Sequence, residues 1–428
     1  MLHTDTLFAP PNQNHSGEHM NQSCSGLIAL VVMLTAAPAV SANVVTDWDE
    51  IAVKTIQPPG PVPPVQVDLT FRAVALVNVA MFNAVDCIEP KYQAYGMQME
   101  PSPDTSQDAA AASAAANVLM QIVPKSTVKA TLTEYLAKIP DGAAKDRGIK
   151  LGEEVAARVV KMRADDGASA RNAYRPVTEP GRYVPTAFTV GFWATEAKPF
   201  VLSNPKQFHP GPPPDLKSDV WARDYNEIKV IGEKFSTKRT PQQTETARLW
   251  LAAGPIAYHP IERQIAIAKN MSVVDSARFM AVLAVAEADA VQSVYASKWQ
   301  YMFWRPMTAI RNGDIDGNDA TERDATWEPL DVTPLHPEYP CAHCILSGAV
   351  TAAIEKMLGT TDIPEVSLST PTAPGVTHRY TNLTALADEV SLARIYAGFH
   401  YRNSTEVGRA MGRQIGDYVV ANAMQPLH

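Results

Sequence analysis

Three short segments of this chain hold residues whose types and spacing could grip an anion and act on it. The first is KWQYMFWRP, where Lys298 and Arg305 stand seven residues apart, about two helical turns, on one face of a helix that Pro306 then ends. A solvated basic edge is the commoner meaning of such a pair. Here Trp299, Tyr301, Phe303 and Trp304 are interleaved with it and would bury that face, and a buried cation needs an anion. The second segment, HPEYPCAHC at residues 336–344, runs into the apolar helical pattern ILSGAVTAAIEKML. Pro340 suits the first turn of that helix, which leaves the amides of Cys341, Ala342 and His343 unpaired and favourable to an oxyanion. The third is ARIYAGFHYRNSTEVG, in which Arg394 and His400 are six residues apart. An unbroken helix would set these two about 120° from each other. Gly398 offers a break that lets both converge. Three cations, a helix N-terminus and two imidazoles suit a tetrahedral oxyanion with acid/base or nucleophilic chemistry.

Other meanings of the same residues rank lower. Cys341 and Cys344 form a C-x-x-C, but no βαβ pattern surrounds it as a redox motif would require. Ile345 stands where haem attachment needs histidine, and a zinc site lacks a second ligand pair of matching spacing. The irregular stretch from Asn312 to Pro337 contains DIDGNDATERD. A calcium loop starting at Asp314 would need Gly at 319 and Glu at 325, where the chain has Asp319 and Ala325, so a solvated acidic loop is expected.

The elements that must position these segments read as helices. Apolar residues recur at three- and four-residue spacing over Val67–Val85, Gln107–Ile122, Lys125–Ala137, Ala144–Ala164, Ser218–Phe235, Thr240–Ala252, Ile261–Lys269, Val273–Phe303, Pro340–Leu358, Thr384–Gly398 and Thr405–Met424. No comparable set of alternating patterns marks strands. The expected fold is all-α: two helical bundles joined by a long crossover, Asp165–Pro214, rich in Pro, Gly and aromatics that pack on the core, with room for short strands in that linker. The division expected is an N-terminal bundle with its crossover over 43–214, and a C-terminal bundle over 215–428 carrying the oxyanion site.

The order Lys-x6-Arg-Pro, then a segment aligned with Pro-Ser-Gly-His, then Arg-x5-His resembles the vanadium-dependent haloperoxidases and the type-2 phosphatidic acid phosphatases. KWQYMFWRPMTAIR and HYRNSTEVGRAMGRQIG look especially like the bacterial haloperoxidase branch. The resemblance implies vanadate as cofactor, held by Lys298, Arg305 and Arg394 and by the amides around Cys341 and Ala342. His343 would be the acid/base and His400 the vanadium ligand or, in a phosphatase, the nucleophile. It further implies that His336 marks a bromoperoxidase, since chloroperoxidases tend to have phenylalanine at that offset. The implied substrates are hydrogen peroxide, a halide and an organic acceptor. Two positions depart from the pattern. Cys341 and Ala342 replace Ser and Gly, leaving a weak thiol contact in place of a hydroxyl, and Ser404 replaces the Asp that would orient His400. Serine orients but cannot neutralise, which favours vanadate coordination over a phosphohistidine route, unless Glu406 reaches the ring. A non-catalytic oxyanion-binding protein is the third alternative.

Composition bounds the rest. The 428 residues carry 37 basic and 45 acidic side chains, a formal charge of 37 − 45 = −8, which argues against nucleic acid as a partner. With 46% hydrophobic residues there is material for a large core, and four cysteines are too few for a disulfide scaffold. Residues 27–42, LIALVVMLTAAPAVSA, read as the apolar part of a signal peptide over 1–42, although no Lys or Arg precedes Lys54 and Met20 is an alternative start. The expectation is export to the periplasm or medium, with no transmembrane span in the mature chain. A homo-oligomer is left open.

Overall fold

The computed structural model describes residues 42–58, 64–171, 173–185 and 188–427, with the side chains of 64–68 left aside. The expected leader lies, up to residue 41, outside the described residues. The chain that follows folds mainly into helices. The first group comprises α1 (Val44–Ile56), α2 (Pro64–Asp86), α3 (Gln107–Ile122), α4 (Val128–Leu136) and α5 (Ala143–Met162). After the crossover come α6 (Asp219–Ile231), α7 (Pro241–Leu249), α8 (His259–Ala268), α9 (Val273–Tyr301), α10 (Pro306–Ile310), α11 (Ala342–Leu358), α12 (Leu383–Tyr396) and α13 (Arg402–Asn422). The all-α expectation holds. Helix α1 was not among the expected helices; its start is fixed by a capping box, Asn43 accepting from the Thr46 amide while Thr46 Oγ1 accepts from the Asn43 amide.

The long helix α9 joins the two groups, packing against α2 on one side and against α11 and α13 on the other. Its alanine- and valine-rich sequence is buried nearly all round, as is α2. Both are long and apolar enough to cross a membrane, yet 83% of the apolar window in α2 and 94% of that in α9 are buried inside the protein, as core helices are.

The crossover is irregular among its described residues, apart from a short turn of tight helix at Phe192–Thr195. Its aromatics do pack inward as expected: Tyr183 and Trp193 are buried, and Tyr174 lies 4.8 Å from Trp299 between ring centroids. Phe188 is the exception and is exposed. The segment is anchored by Asp289 of α9, which accepts the amides of Phe200, Val201 and Leu202 at 2.6–2.9 Å. The strands fall elsewhere than expected. β1 (Asp362–Leu368) and β2 (His378–Asn382) pair antiparallel between α11 and α12, with Val366 opposite Tyr380. Ile363, Val366 and Leu368 turn inward and cover α8, so burial rather than a long alternating pattern makes the strand.

Helices α11 and α13 approach closely. A Cβ on Gly408 would lie 2.7 Å from the Cys341 carbonyl, and one on Gly412 or Gly416 would fall inside the van der Waals shell of the Ile345 or Ala349 carbonyl. The acidic loop also departs from expectation at one point. Asp316 is buried, accepting from the Trp221 indole at 2.8 Å and from Thr321, because it ties the loop to α6.

Candidate oxyanion site

The three segments converge at the end of α9 and the starts of α11 and α13, but not by the route expected. Lys298 sits in the last turn of α9. The helix stops at Tyr301, because Met302 turns into a left-handed conformation at φ 49° and accepts the role of C-cap. Arg305 therefore lies on an extended stretch outside α9, and Pro306 opens α10 rather than closing α9. A reversal of the chain, not a shared helix face, brings the two cations together.

Lys298 is wholly buried and donates to the carbonyls of Pro337 at 3.0 Å and Glu338 at 2.7 Å. Arg305 Nε donates to the His336 carbonyl at 2.9 Å and Nη1 to the Phe399 carbonyl at 3.0 Å. Its Nη2 lies 2.9 Å from His336 Nδ1 and its Nη1 3.2 Å from His400 Nε2. Arg394, in the last turn of α12, donates through Nη1 to the Trp250 carbonyl at 2.6 Å. Its buried Nε has no partner among the described residues. Burial and the neighbouring Arg305 push Arg394 down to about 9. Burial, then Arg305, lowers Lys298 as well.

The turn between α12 and α13 works as the sequence suggested. Gly398 is left-handed at φ 77°, its amide bonds to the Ile395 carbonyl and the Phe399 amide to that of Arg394, a Schellman closure. The Arg394 guanidinium then stacks over Phe399, 5.0 Å from the ring centre, and His400 turns inward.

His343 lies in the first turn of α11 and its Nε2 donates to the Ala252 carbonyl at 3.1 Å, which leaves Nδ1 as the basic nitrogen. The helix starts at Ala342, with Cys341 as its cap, so one expected donor is lost: the Cys341 amide bonds to the Ser404 carbonyl at 3.2 Å. The Ala342 and His343 amides keep no partner among the described residues. Cys341 is also paired with Cys344 in a disulfide, so the expected thiol contact is absent. Its sulfur instead accepts the Cys344 amide.

The residue missed by the sequence reading is Glu338. Its Oε1 lies 2.7 Å from His400 Nδ1 and also accepts the Tyr401 amide. Ser404 is buried with no hydrogen bond of ordinary length among the described residues, although it lies near enough to Glu338 to act on its titration. Glu406 is exposed and does not reach the ring. Burial pushes Glu338 up to about 7 against the pull of Lys298 and Arg305. His400, His343 and His336 are all held well below the ordinary histidine range, by burial first and then by the arginines. All three are neutral imidazoles at neutral pH. Glu338 is visible in HPEYPCAHC as a carboxylate amid apolar residues, and that was the available signal.

A cavity of about 660 Å³ opens onto this group, with His336, His343, Arg394 and His400 on its polar side and Phe71, Val291 and Leu346 on its apolar side. With Glu338 ionised, the three buried cations leave 3 − 1 = +2 in the core around the cavity, whose lining also includes the exposed Asp331. The partnerless Arg394 Nε, the two open amides and this charge fit a dianionic tetrahedral oxyanion.

Residues 278–428 match the family described as "VCPO second helical-bundle domain". The chain is 29% identical over 147 residues to vanadium chloroperoxidase of Curvularia inaequalis, a match spanning 24% of that protein's length and 28% of this chain. A bacterial vanadium-dependent iodoperoxidase superposes with a TM-score of 0.74 at 23% identity, covering 89% of this chain and 95% of that one. The holo form of a bacterial vanadium-dependent chloroperoxidase gives 0.71 at 17% identity, covering 89% and 97%. Residues 278–428 thus match the vanadium chloroperoxidase second-bundle family model, within a chain whose fold is that of the bacterial vanadium haloperoxidase structures.

Proposed function

We propose that the chain is a vanadate-dependent haloperoxidase that uses hydrogen peroxide to oxidise a halide, bromide in preference to chloride, for transfer to organic acceptors. The observation that carries this is the buried Arg394, whose Nε has no partner among the described residues, on a cavity wall shared with His336, His343 and His400, the first and last of which lie against Arg305. Support comes from the two haloperoxidase folds and from the Curvularia relative. Vanadate, when bound, supplies a Lewis acid that activates peroxide without changing oxidation state.

The chain's own residues supply the rest. Lys298, Arg305 and Arg394 meet the negative charge of the oxyanion, with the Ala342 and His343 amides as further donors. Glu338 accepts Nδ1–H of His400 and so fixes the tautomer with its lone pair on Nε2, which takes Arg305 Nη1 at 3.2 Å in this structure and would turn to the central atom when the oxyanion binds. His343 Nδ1 is the base that takes a proton from hydrogen peroxide. The apolar wall of the cavity suits an organic acceptor. Bromide preference rests on His336, a polar ring at 2.9 Å from Arg305 where a phenylalanine would leave the arginine with one partner fewer. Export to the periplasm or medium is proposed on the strength of the apolar run at 27–42.

One observation speaks for phosphomonoester hydrolysis as the second reading. The Glu338 carboxylate provides the charge compensation that a histidine nucleophile needs and that Ser404 cannot give. Assaying purified protein with and without orthovanadate for bromide-dependent peroxidation and for phosphate-ester cleavage tests the choice. Vanadate-dependent peroxidation is expected; strong ester cleavage without it would reverse the assignment.

A further inference from the structure

Behind one wall of the cavity lies a second ionisable cluster that the oxyanion chemistry does not use. Asp49 of α1, His259 and Glu262 of α8, and Glu287 of α9 are all buried at 0% exposure. His259 Nδ1 lies 2.8 Å from Asp49 Oδ1 and Nε2 lies 2.9 Å from Glu287 Oε2. Asp49 is itself held by Asn78 Nδ2 and by Arg263 Nη1, each at 2.8 Å. Both oxygens of Glu262 and Oε1 of Glu287 have no hydrogen bond among the described residues. One donor atom from each of His259, Glu262 and Glu287 lies within 4.8 Å of the others.

Carboxylates are not left bare in a core without a compensating charge. Asp49, Glu262 and Glu287 contribute three negative charges and Arg263 one positive, leaving 3 − 1 = 2 when His259 is neutral. We propose that His259, Glu262 and Glu287 bind one divalent first-row transition ion, of the zinc, manganese or iron(II) class. The imidazole and carboxylate donors select that class over calcium, which takes oxygen alone. His259 and Glu262 are three residues apart and share one face of α8, and Glu287 meets them from α9. Asp49 accepts the Nδ1 proton and orients the ring, leaving Nε2, beside Glu287 Oε2, for the metal, with Glu262 Oε2 3.7 Å from Nδ1 completing the group.

The ion would pin α1, α8 and α9 together. His259 follows Tyr258, whose hydroxyl donates to the His343 carbonyl at 3.1 Å, so the cluster braces the wall that carries the proposed base. Two protons, one on His259 and one shared by the two glutamates, would balance the same charge, and the experiment separates these states.

Full-length protein, dialysed free of vanadate, is analysed for metals by mass spectrometry. About one equivalent of a first-row divalent metal other than vanadium is expected per chain. Stripping it with dipicolinate should lower Tm, and adding zinc or manganese should restore it. Glu262→Gln and Glu287→Gln should each cut metal content below a tenth of the wild-type value. Wild-type protein that takes up no stoichiometric zinc or manganese, or variants that keep the full equivalent, would overturn the proposal. Should a variant fail to fold, the metal content and chelator response of the wild type decide.

Discussion

Glu338 Oε1 lies 2.7 Å from His400 Nδ1, so the carboxylate that steadies this ring comes from the loop before α11 and not from the helix that follows it. The loss of an acidic residue at 404 is thereby offset from another part of the chain. Serine at that position no longer argues against a phosphohistidine route, and the proposed preference for haloperoxidase chemistry rests on the similarity to vanadium chloroperoxidase instead.

Removing that carboxylate gives the first prediction. Glu338→Gln should weaken vanadate binding by about 10- to 100-fold, the usual effect of losing an orienting partner behind a metal-ligating histidine. Glu406→Gln should change nothing, and adding Ser404→Asp to Glu338→Gln should recover part of the affinity. Calorimetric titration with orthovanadate measures all three; an unaltered Kd in Glu338→Gln would remove the residue from the site.

Arg394 is predicted to behave unlike an ordinary core residue. In Arg394→Ala the vanadate-induced rise in Tm should shrink sharply, with Kd about 10-fold or more weaker, since a charge-assisted donor is gone. The anion-free protein should lose little stability, because an uncompensated buried charge goes too. A large drop in anion-free Tm together with unchanged vanadate affinity would show a purely structural role.

The two histidines should separate in their effects. His400→Ala is expected to lose vanadate binding, whereas His343→Ala keeps it and loses at least about 100-fold in turnover, the low end for a general base. Equilibrium dialysis alongside peroxidation rates distinguishes them.

Halide choice is checked at His336. Replacing it with phenylalanine should raise chloride turnover relative to bromide. Identical halide ratios in wild type and His336→Phe would refute the assignment.

A pH effect is expected where α9 anchors the crossover. Burial raises Asp289 from 3.8 to about 6, even with three amides donating to it. The folded chain thus holds this proton to a higher pH than the unfolded chain, so the stability it contributes is greatest below pH 4 and falls as pH rises toward about 6. The advantage of wild type over Asp289→Asn in chemical denaturation should shrink by no more than about 3 kcal/mol across that range. An advantage that grows with pH would contradict this sign.

Helical periodicity located most of the fold because long apolar faces leave a direct signature, as in Gln107–Ile122, whose bounds coincide with α3. It overlooked α1, whose buried Trp48 and Asp49 mix apolar and ionisable residues on the inward face. The site cations were legible from their spacing and aromatic company. What spacing could not convey was the reversal at Met302, which depends on one residue adopting a left-handed backbone. The role of Glu338 was equally hidden, since it depends on a contact across 62 positions.

The glycines of α13 carry a consequence for how this protein tolerates change. They let the start of α11, with His343, rest directly against the helix that follows His400. A single methyl group at Gly412 would wedge these two helices apart and misalign both imidazoles at once, though glycine has no side chain to react. Genetic variants that silence the protein should therefore include alanines along this seam, and a survey of functional positions confined to chemically active residues would pass over them.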